Sequence, residues 1–171
     1  MERWKPIQDF EDYLVSDLGM ITRSRTTNRT LSYHRNQRGI LSVTLRRGGV
    51  QYRRSVAGIV ARAFVPNCGG KWDVEFNTPI HLDGDKDNCA ADNLAWRPRW
   101  FAIRFHQQFD SIPPAWRNPV VDLDTGTTYD SLVDAAKTHG FLMRGLIPRA
   151  NGIIERSPWP TDLKLAYIAK K

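Results

Sequence analysis

Between residues 40 and 64 the apolar spacing of the sequence changes once, and abruptly. Ile40, Ser42 and Thr44 alternate with Leu41, Val43 and Leu45, the period of two that a pleated strand requires. Gly48-Gly49 separates this run from Gln51-Tyr52-Arg53-Arg54-Ser55-Val56, and paired glycines supply the positive φ angles of a tight hairpin turn. From Val56 the spacing becomes helical: positions 56, 59, 60, 63 and 64 are apolar and share one face, and Pro66-Asn67 closes the run. The reading is a hairpin with arginines at its tip that feeds directly into a short buried helix. It predicts an α+β chain assembled from small elements.

The rest of the sequence has the same texture. Residues Trp4–Ser24 hold short alternating apolar stretches around Asp17-Leu18-Gly19, which predicts a small β-rich unit. Pro79-Ile80-His81-Leu82-Asp83-Gly84-Asp85 reads as a strand and turn, with Asp92 placed to cap a helix running through the 90s. Pro98 interrupts that pattern, so Trp100–Phe109 is expected to form a helix of its own, followed by a linker at QQFDSIPPAWRNP. Val120–Tyr129 reads as a hairpin with a Thr-Gly turn. Ser131 then caps a helix to His139 that Gly140 ends. Leu142–Ala150 is expected to add a second helix, shortened by Pro148, to give a helix-turn-helix-like pair. The implied modules are residues 1–55, 56–109, a linker at 110–118, and 119–171.

Composition narrows the function classes. The chain has 171 residues, 41% of them hydrophobic, enough for one ordinary domain or a few small modules around separate cores. Lys and Arg outnumber Asp and Glu by 25 to 18, for a net charge of +7. The excess is local: residues 1–56 carry 11 basic against 5 acidic side chains, while 57–106 carry 6 of each. A basic first third suggests a phosphate-contacting surface there. Cys68 and Cys89 are too few for a four-thiolate zinc site and are expected to be free thiols. No apolar run approaches the roughly 20 residues of a membrane span, and the first residues do not read as a targeting peptide. The expectation is a soluble, intracellular protein with no membrane contact.

The stretch most specific for chemistry is IHLDGDKDNCAADNLAW at residues 80–96. A histidine precedes an Asp-Gly turn, an asparagine follows in the loop, and Asn-Leu-x-Trp closes the unit. This resembles the motif of the HNH homing endonucleases of phage type. The resemblance implies a His-Me (ββα-metal-like) finger that is pressed on a scissile phosphate of duplex DNA. His81 matches the general-base position. Neutral imidazole accepts a proton near neutral pH, while a divalent ion, Mg²⁺ or Mn²⁺, stabilises charge developing on the phosphate. Asn88 matches an asparagine that braces the loop, and Asn93 one at the start of the family's helix; the alternative for both is an ordinary turn or cap residue. Asp83-Gly84 matches the turn, and Leu94 with Trp96 the packing of that helix on the hairpin.

Two positions depart from the pattern, and both are places where the family holds its metal. The residue before the base is Ile80, and the ligand expected from the helix falls at Ala102; neither has a ligand atom. His106, one helical turn beyond Ala102, and Asp83 or Asp85 from the loop are the replacement metal ligands to test. The alternative for His106 is a partly buried or phosphate-contacting residue.

The flanks extend the resemblance. Trp4–Ser24 is similar to a nuclease-associated module placed before many such fingers. Val56–Asn67 is similar to the helix before the finger, and Asp122–Gly140 to a helix-turn-helix module at the tail. That tail offers Arg144, Arg149 and Asn151 as DNA contacts, while Arg23, Arg25, Arg29, Arg35, Arg38, Arg46, Arg47, Arg53 and Arg54 lie in sequence able to track a groove. Three readings stay open: an endonuclease that nicks or cleaves duplex DNA by metal-assisted hydrolysis, a degenerate member that needs no cofactor and binds DNA or a phage or host protein, or an HNH scaffold turned protein–protein module whose surface is the aromatic stretch of residues 96–109, aromatics that are more often core. The resemblance implies a phage-encoded protein working in the bacterial cytoplasm, and a monomer is expected because three linked modules can read an asymmetric site.

Overall fold

In the computed structural model, residues 1–24, 26–66, 76–146 and 148–168 are described, with backbone alone for 26–29. The chain divides into two compact units, one formed by Met1–His81 with Asp85–Pro98 and the other by Leu82–Gly84 with Arg99–Lys171.

The first unit begins with β1 (Trp4–Ile7), β2 (Phe10–Ser16), β3 (Ile21–Arg23) and β4 (Thr26–Thr30), which pair antiparallel in that order. Phe10, Tyr13 and Val15 of β2 are buried, and Ile21 is fully so. A second sheet runs β5 (Tyr33–Arg35), β6 (Leu41–Arg47) and β7 (Val50–Ser55). The turn between β6 and β7 is Gly48-Gly49, with φ of 58° and 79°, the two successive positive angles that match the twist of a two-residue hairpin. Val43 and Leu45 carry the buried face of β6.

The switch to helix falls where the spacing changed. Helix α1 spans Val56–Phe64, and the Ser55 hydroxyl accepts from the Gly58 amide at 3.2 Å to cap it. Val56, Ala57, Ile59, Val60 and Ala61 form its buried face. Lys5 Nζ donates to the Ala63 carbonyl at 2.8 Å, so a cation sits at the negative end of the helix dipole.

Next come β8 (Thr78–His81) and β9 (Leu94–Arg97), an antiparallel pair in which Ile80 lies opposite Ala95 and His81 opposite Leu94. Here the structure corrects the sequence expectation. Asp92 does not cap a helix: Ala91–Asn93 makes one 3-10 turn, capped at Ala90 without a side-chain bond, and the chain then enters β9. Asn93 therefore precedes a strand, and Leu94 and Trp96 belong to that strand. Their spacing of two buries both, and the Trp96 indole donates to the Val65 carbonyl at 3.1 Å, tying β9 to the end of α1.

In the second unit, α2 (Arg99–Gln107) starts directly after Pro98, as a proline-bounded helix should. Strands β10 (Val120–Asp122) and β11 (Thr128–Tyr129) form the expected hairpin. Helix α3 (Leu132–His139) has the expected ends: Ser131 Oγ accepts from the Asp134 amide, and Gly140 closes the helix at φ 67°. The last strand, β12 (Leu165–Tyr167), pairs with the other edge of β10. The core joins Val120, Leu132, Ala135, Ala136, Phe141, Met143 and Leu165, and Ile112 and Trp116 from the expected linker pack against it.

The second helix of the helix-turn-helix-like pair does not form among the described residues of 141–150. The Gln108 side-chain amide donates to the Phe141 carbonyl at 3.1 Å, the group that would accept the first bond of such a helix, and accepts from the Met143 amide at 3.0 Å. Pro148 instead pairs with Ile154, and Ile153 with Ala166 of β12. Gly145 and Gly152, both at positive φ, turn the chain on either side.

Candidate functional site

His81 closes β8 and is 4% exposed, so its imidazole stands in a desolvated place. Cys89 Sγ lies 3.8 Å from His81 Nε2 and also within 3.8 Å of the Lys86 carbonyl, to which it donates. Burial first, and the Asp87 charge second, push the Cys89 thiol up to about 11. The pair at neutral pH is therefore a neutral thiol against an imidazole, not a thiolate nucleophile.

The loop that carries Cys89 is strapped down on several sides. Arg35 of β5 grips the Asp87 carboxylate with both terminal guanidinium nitrogens, which holds that carboxyl below its usual range. Lys86 Nζ donates to the Arg38 carbonyl at 3.2 Å. The Asn88 side chain accepts from the Ala90 amide at 3.4 Å, and the Asn93 side chain donates to the Asn88 carbonyl at 2.8 Å. Both asparagines act within the loop. On the far side, the Ala91 amide donates to the Asp17 carbonyl at 2.7 Å, and Gly19 is so close that a Cβ there would meet Cys89 Cβ at 3.1 Å.

HNH endonucleases generally use a divalent metal ion, and the residues of this chain do not fit one at the family's positions. Ile80 is fully buried and Ala102 is 5% exposed, so both positions are packed hydrocarbon. Among the described residues no three His, Cys, Asp or Glu side chains converge as a metal site. His106 is half-buried on α2 and meets the Phe105 ring edge-on. Cys68 lies outside the described residues.

The arginines of the hairpin divide by strand register. Val43 faces Arg54, Leu45 faces Tyr52 and Arg47 faces Val50, so Arg47 and Arg54 share the face of β6–β7 that carries the core. Arg46 and Arg53 project from the opposite face, alongside Gln51 and Thr44. On the first face the guanidinium carbons of Arg47 and Arg54 sit 5.3–5.9 Å from the ring centres of Phe10 and Tyr52, which themselves meet edge to face. Arg23 lies over Tyr13 at 5.8 Å and shares an open groove of about 570 Å³ with Arg46 and Arg47. Arg25 lies outside the described residues, and so does the side chain of Arg29.

In the second unit the nominated residues are scattered. Arg144 is exposed in a turn. Arg149 pairs with Glu155 at 2.7 Å, and the Asn151 side chain accepts from the Ile153 amide at 3.2 Å, a turn-bracing role. Sequence reasoning missed Cys89 beside His81, the Arg35–Asp87 strap, and Lys5 and Arg62 near the stacked arginines. Only the abundance of basic residues in the first third hinted at the last two.

Comparison with known proteins agrees with this architecture. Residues 2–46 match the NUMOD4 motif. The chain is 28% identical over 159 residues to an uncharacterized HNH endonuclease of Acanthamoeba polyphaga mimivirus, a match covering 88% of this chain and 38% of the relative. A second uncharacterized HNH endonuclease of that virus is 30% identical over 94 residues, 55% of this chain and 26% of the relative. The chain thus spans well under half the length of these curated relatives. A solved structure of the HNH homing endonuclease I-HmuI, concerning its DNA binding and cleavage, superposes with a TM-score of 0.51 at 23% identity, over 82% of this chain and 84% of that one. The likeness shows a common fold. Among the described residues no helix is long and apolar enough to cross a membrane.

Proposed function

We propose that this chain, which resembles the HNH homing endonucleases, binds duplex DNA through the arginines of the first unit and does not hydrolyse DNA at the His81 hairpin. The relatives support a nuclease function in general terms; the mechanism in this chain has to come from its own residues. The observation that carries the reading is the contrast between two places in one unit. The β6–β7 hairpin presents Arg46, Arg47, Arg53 and Arg54 on a scaffold of the right fold, while Ile80, in the ligand position, offers only hydrocarbon.

Binding follows from elementary electrostatics. Arg46 and Arg53 stand on one face of a ribbon narrow enough for a groove, and Arg23, Arg46 and Arg47 line one open channel. Phosphate contacts of this kind set register and release counterions. Arg144 is the candidate contact of the second unit, Arg149 and Asn151 being engaged with their own turn. The division into modules at 1–55, 56–109 and 119–171 belongs to the same proposal, as does a monomer that reads an asymmetric site in a phage-infected bacterial cell.

A second reading is favoured by the place of His81 at the end of β8 and by the endonucleases the chain resembles: cleavage, with His81 taking the proton of the attacking water. The test selects a bound duplex from a random pool, then incubates it with Mg²⁺ or Mn²⁺, with EDTA, and with a His81→Ala variant. Intact product under every condition, with binding retained, is the expected result. Metal-dependent nicking that His81→Ala abolishes overturns the proposal and establishes the second reading.

A further inference from the structure

The arginines stacked on Phe10 and Tyr52 do not face open solvent alone. They line a cleft of about 280 Å³ formed by the turn between β1 and β2, the face of α1 and the β6–β7 hairpin. Arg47 and Arg54 enter from the hairpin, Arg62 from α1, and Lys5 from β1. At about 30 Å³ per water, the cleft has room for a phosphate group with its first waters.

Four cations around one cleft repel each other, so something must offset the cost. Among the residues that line it, Asp9 is the one acid. Arg47 donates to the Asp9 backbone carbonyl at 3.2 Å, which positions the guanidinium while leaving its charge unmatched. No carboxylate forms an ion pair with Arg47, Arg54 or Arg62 among the described residues. The rings of Phe10 and Tyr52 hold two planar guanidiniums in fixed orientation, which lowers the entropy lost when a tetrahedral anion arrives. Lys5 is fixed in turn by the Ala63 carbonyl and by the Phe64 ring, 4.9 Å from its nitrogen.

We infer that this cleft is a seat for one backbone phosphate of duplex DNA, gripped by Arg47, Arg54 and Arg62. The inference rests on the DNA-binding reading and adds to it a particular site, including Lys5 and Arg62, which the groove-facing arginines did not suggest. Asp9 opposes the ligand from within the cleft and tunes its strength.

The test measures duplex affinity across a salt series for the wild-type chain and for Arg62→Gln, Arg54→Gln, Arg54→Lys and Asp9→Asn, with Arg156→Gln in the second unit as a charge control. Thermal unfolding of each variant confirms that it folds. Loss of one phosphate contact lowers the slope of log affinity against log salt by about 0.9, so the fall in affinity between about 50 and 200 mM salt shrinks about 3.5-fold. That change is expected for Arg62→Gln and Arg54→Gln and is absent in Arg156→Gln. Arg54→Lys is expected to keep the slope but to bind more weakly, because it retains the charge and loses the stacked fork. Asp9→Asn, which suits the left-handed backbone of Asp9 at φ 66°, is expected to bind more tightly. A wild-type chain that binds duplex while Arg62→Gln and Arg54→Gln keep its full slope overturns the inference. If the wild type binds no duplex, the DNA reading itself fails. Titration with inorganic phosphate, followed at the guanidinium N–H signals of Arg47, Arg54 and Arg62, then decides the cleft: shifts at all three support a phosphate seat, and none overturns it.

Discussion

Tyr33 offers a sharp test of how the loop beside His81 is held. Its hydroxyl donates to the Gly19 carbonyl and accepts from the Ile21 amide, both at 2.9 Å, and so closes the turn between β2 and β3. Tyr33→Phe keeps the ring and removes only the oxygen, leaving one carbonyl and one amide without that partner. Each buried backbone group left unsatisfied costs about 1–3 kcal/mol. Tyr33 is half-buried, so water reaches part of the gap and the low end applies, for a total of about 2 kcal/mol. In a unit of this size that lowers the thermal midpoint by roughly 8–16 °C. Urea unfolding followed by tryptophan fluorescence reads the loss as a lower midpoint at unchanged slope. A pH series adds a signature. Burial raises the folded pKa of Tyr33 above its ordinary 10.0, so its contribution is complete below pH 10 and is lost as pH rises through the folded value. Tyr33→Phe should flatten that alkaline limb. A loss under about 0.5 kcal/mol, within the scatter of ordinary surface substitutions, refutes the claim that the hydroxyl closes the turn.

Three further outcomes follow from the same geometry. Gly19→Ala places a Cβ at 3.1 Å from Cys89 Cβ on a backbone at φ 91°, costing roughly 1–3 kcal/mol and moving the His81 ring resonances; an unchanged His81 spectrum denies the coupling. In a Cys68→Ala background, Cys89 should resist iodoacetamide at pH 8 until urea unfolds the chain, since burial holds its thiol at about 11; rapid labelling of the native protein contradicts this. Burial lowers the pKa of His139, whose Nε2 meets the Tyr129 hydroxyl at 2.7 Å, so its contribution is complete above 6.5 and fades as pH falls from there through the folded value. The midpoint of urea unfolding should therefore drop between pH 7.5 and 5.5, and less so in His139→Gln; equal drops would remove His139 as the cause.

What the sequence disclosed was local. The Gly48-Gly49 turn, the Ser55 cap of α1 and the Ser131 and Gly140 ends of α3 are each written in a few adjacent residues. The errors came where a partner lies far along the chain. Leu94–Arg97 is too short to declare itself, and only its pairing with Thr78–His81 makes it a strand. Residues 142–150 look helical until Gln108 takes the carbonyl of Phe141 and the amide of Met143. Leu165–Tyr167 becomes a strand because β10 has a free edge. The same division holds for the site. His81 and the hydrocarbon at Ile80 were legible from order alone, whereas the contact with Cys89 and the convergence of Lys5 and Arg62 with the hairpin required the fold.

The two-glycine tip of the hairpin has a consequence for how such a binding surface can change. Side chains on a ribbon point up and down in strict turn, so the length of the tip decides which basic pair meets the rings and which meets the outside. One residue inserted beside Gly48 and answered by a slipped register would turn Arg53 inward and Arg54 outward without altering net charge. The cleft would lose its grip while the total basicity of the chain stayed the same, so a count of lysines and arginines could not tell the two proteins apart.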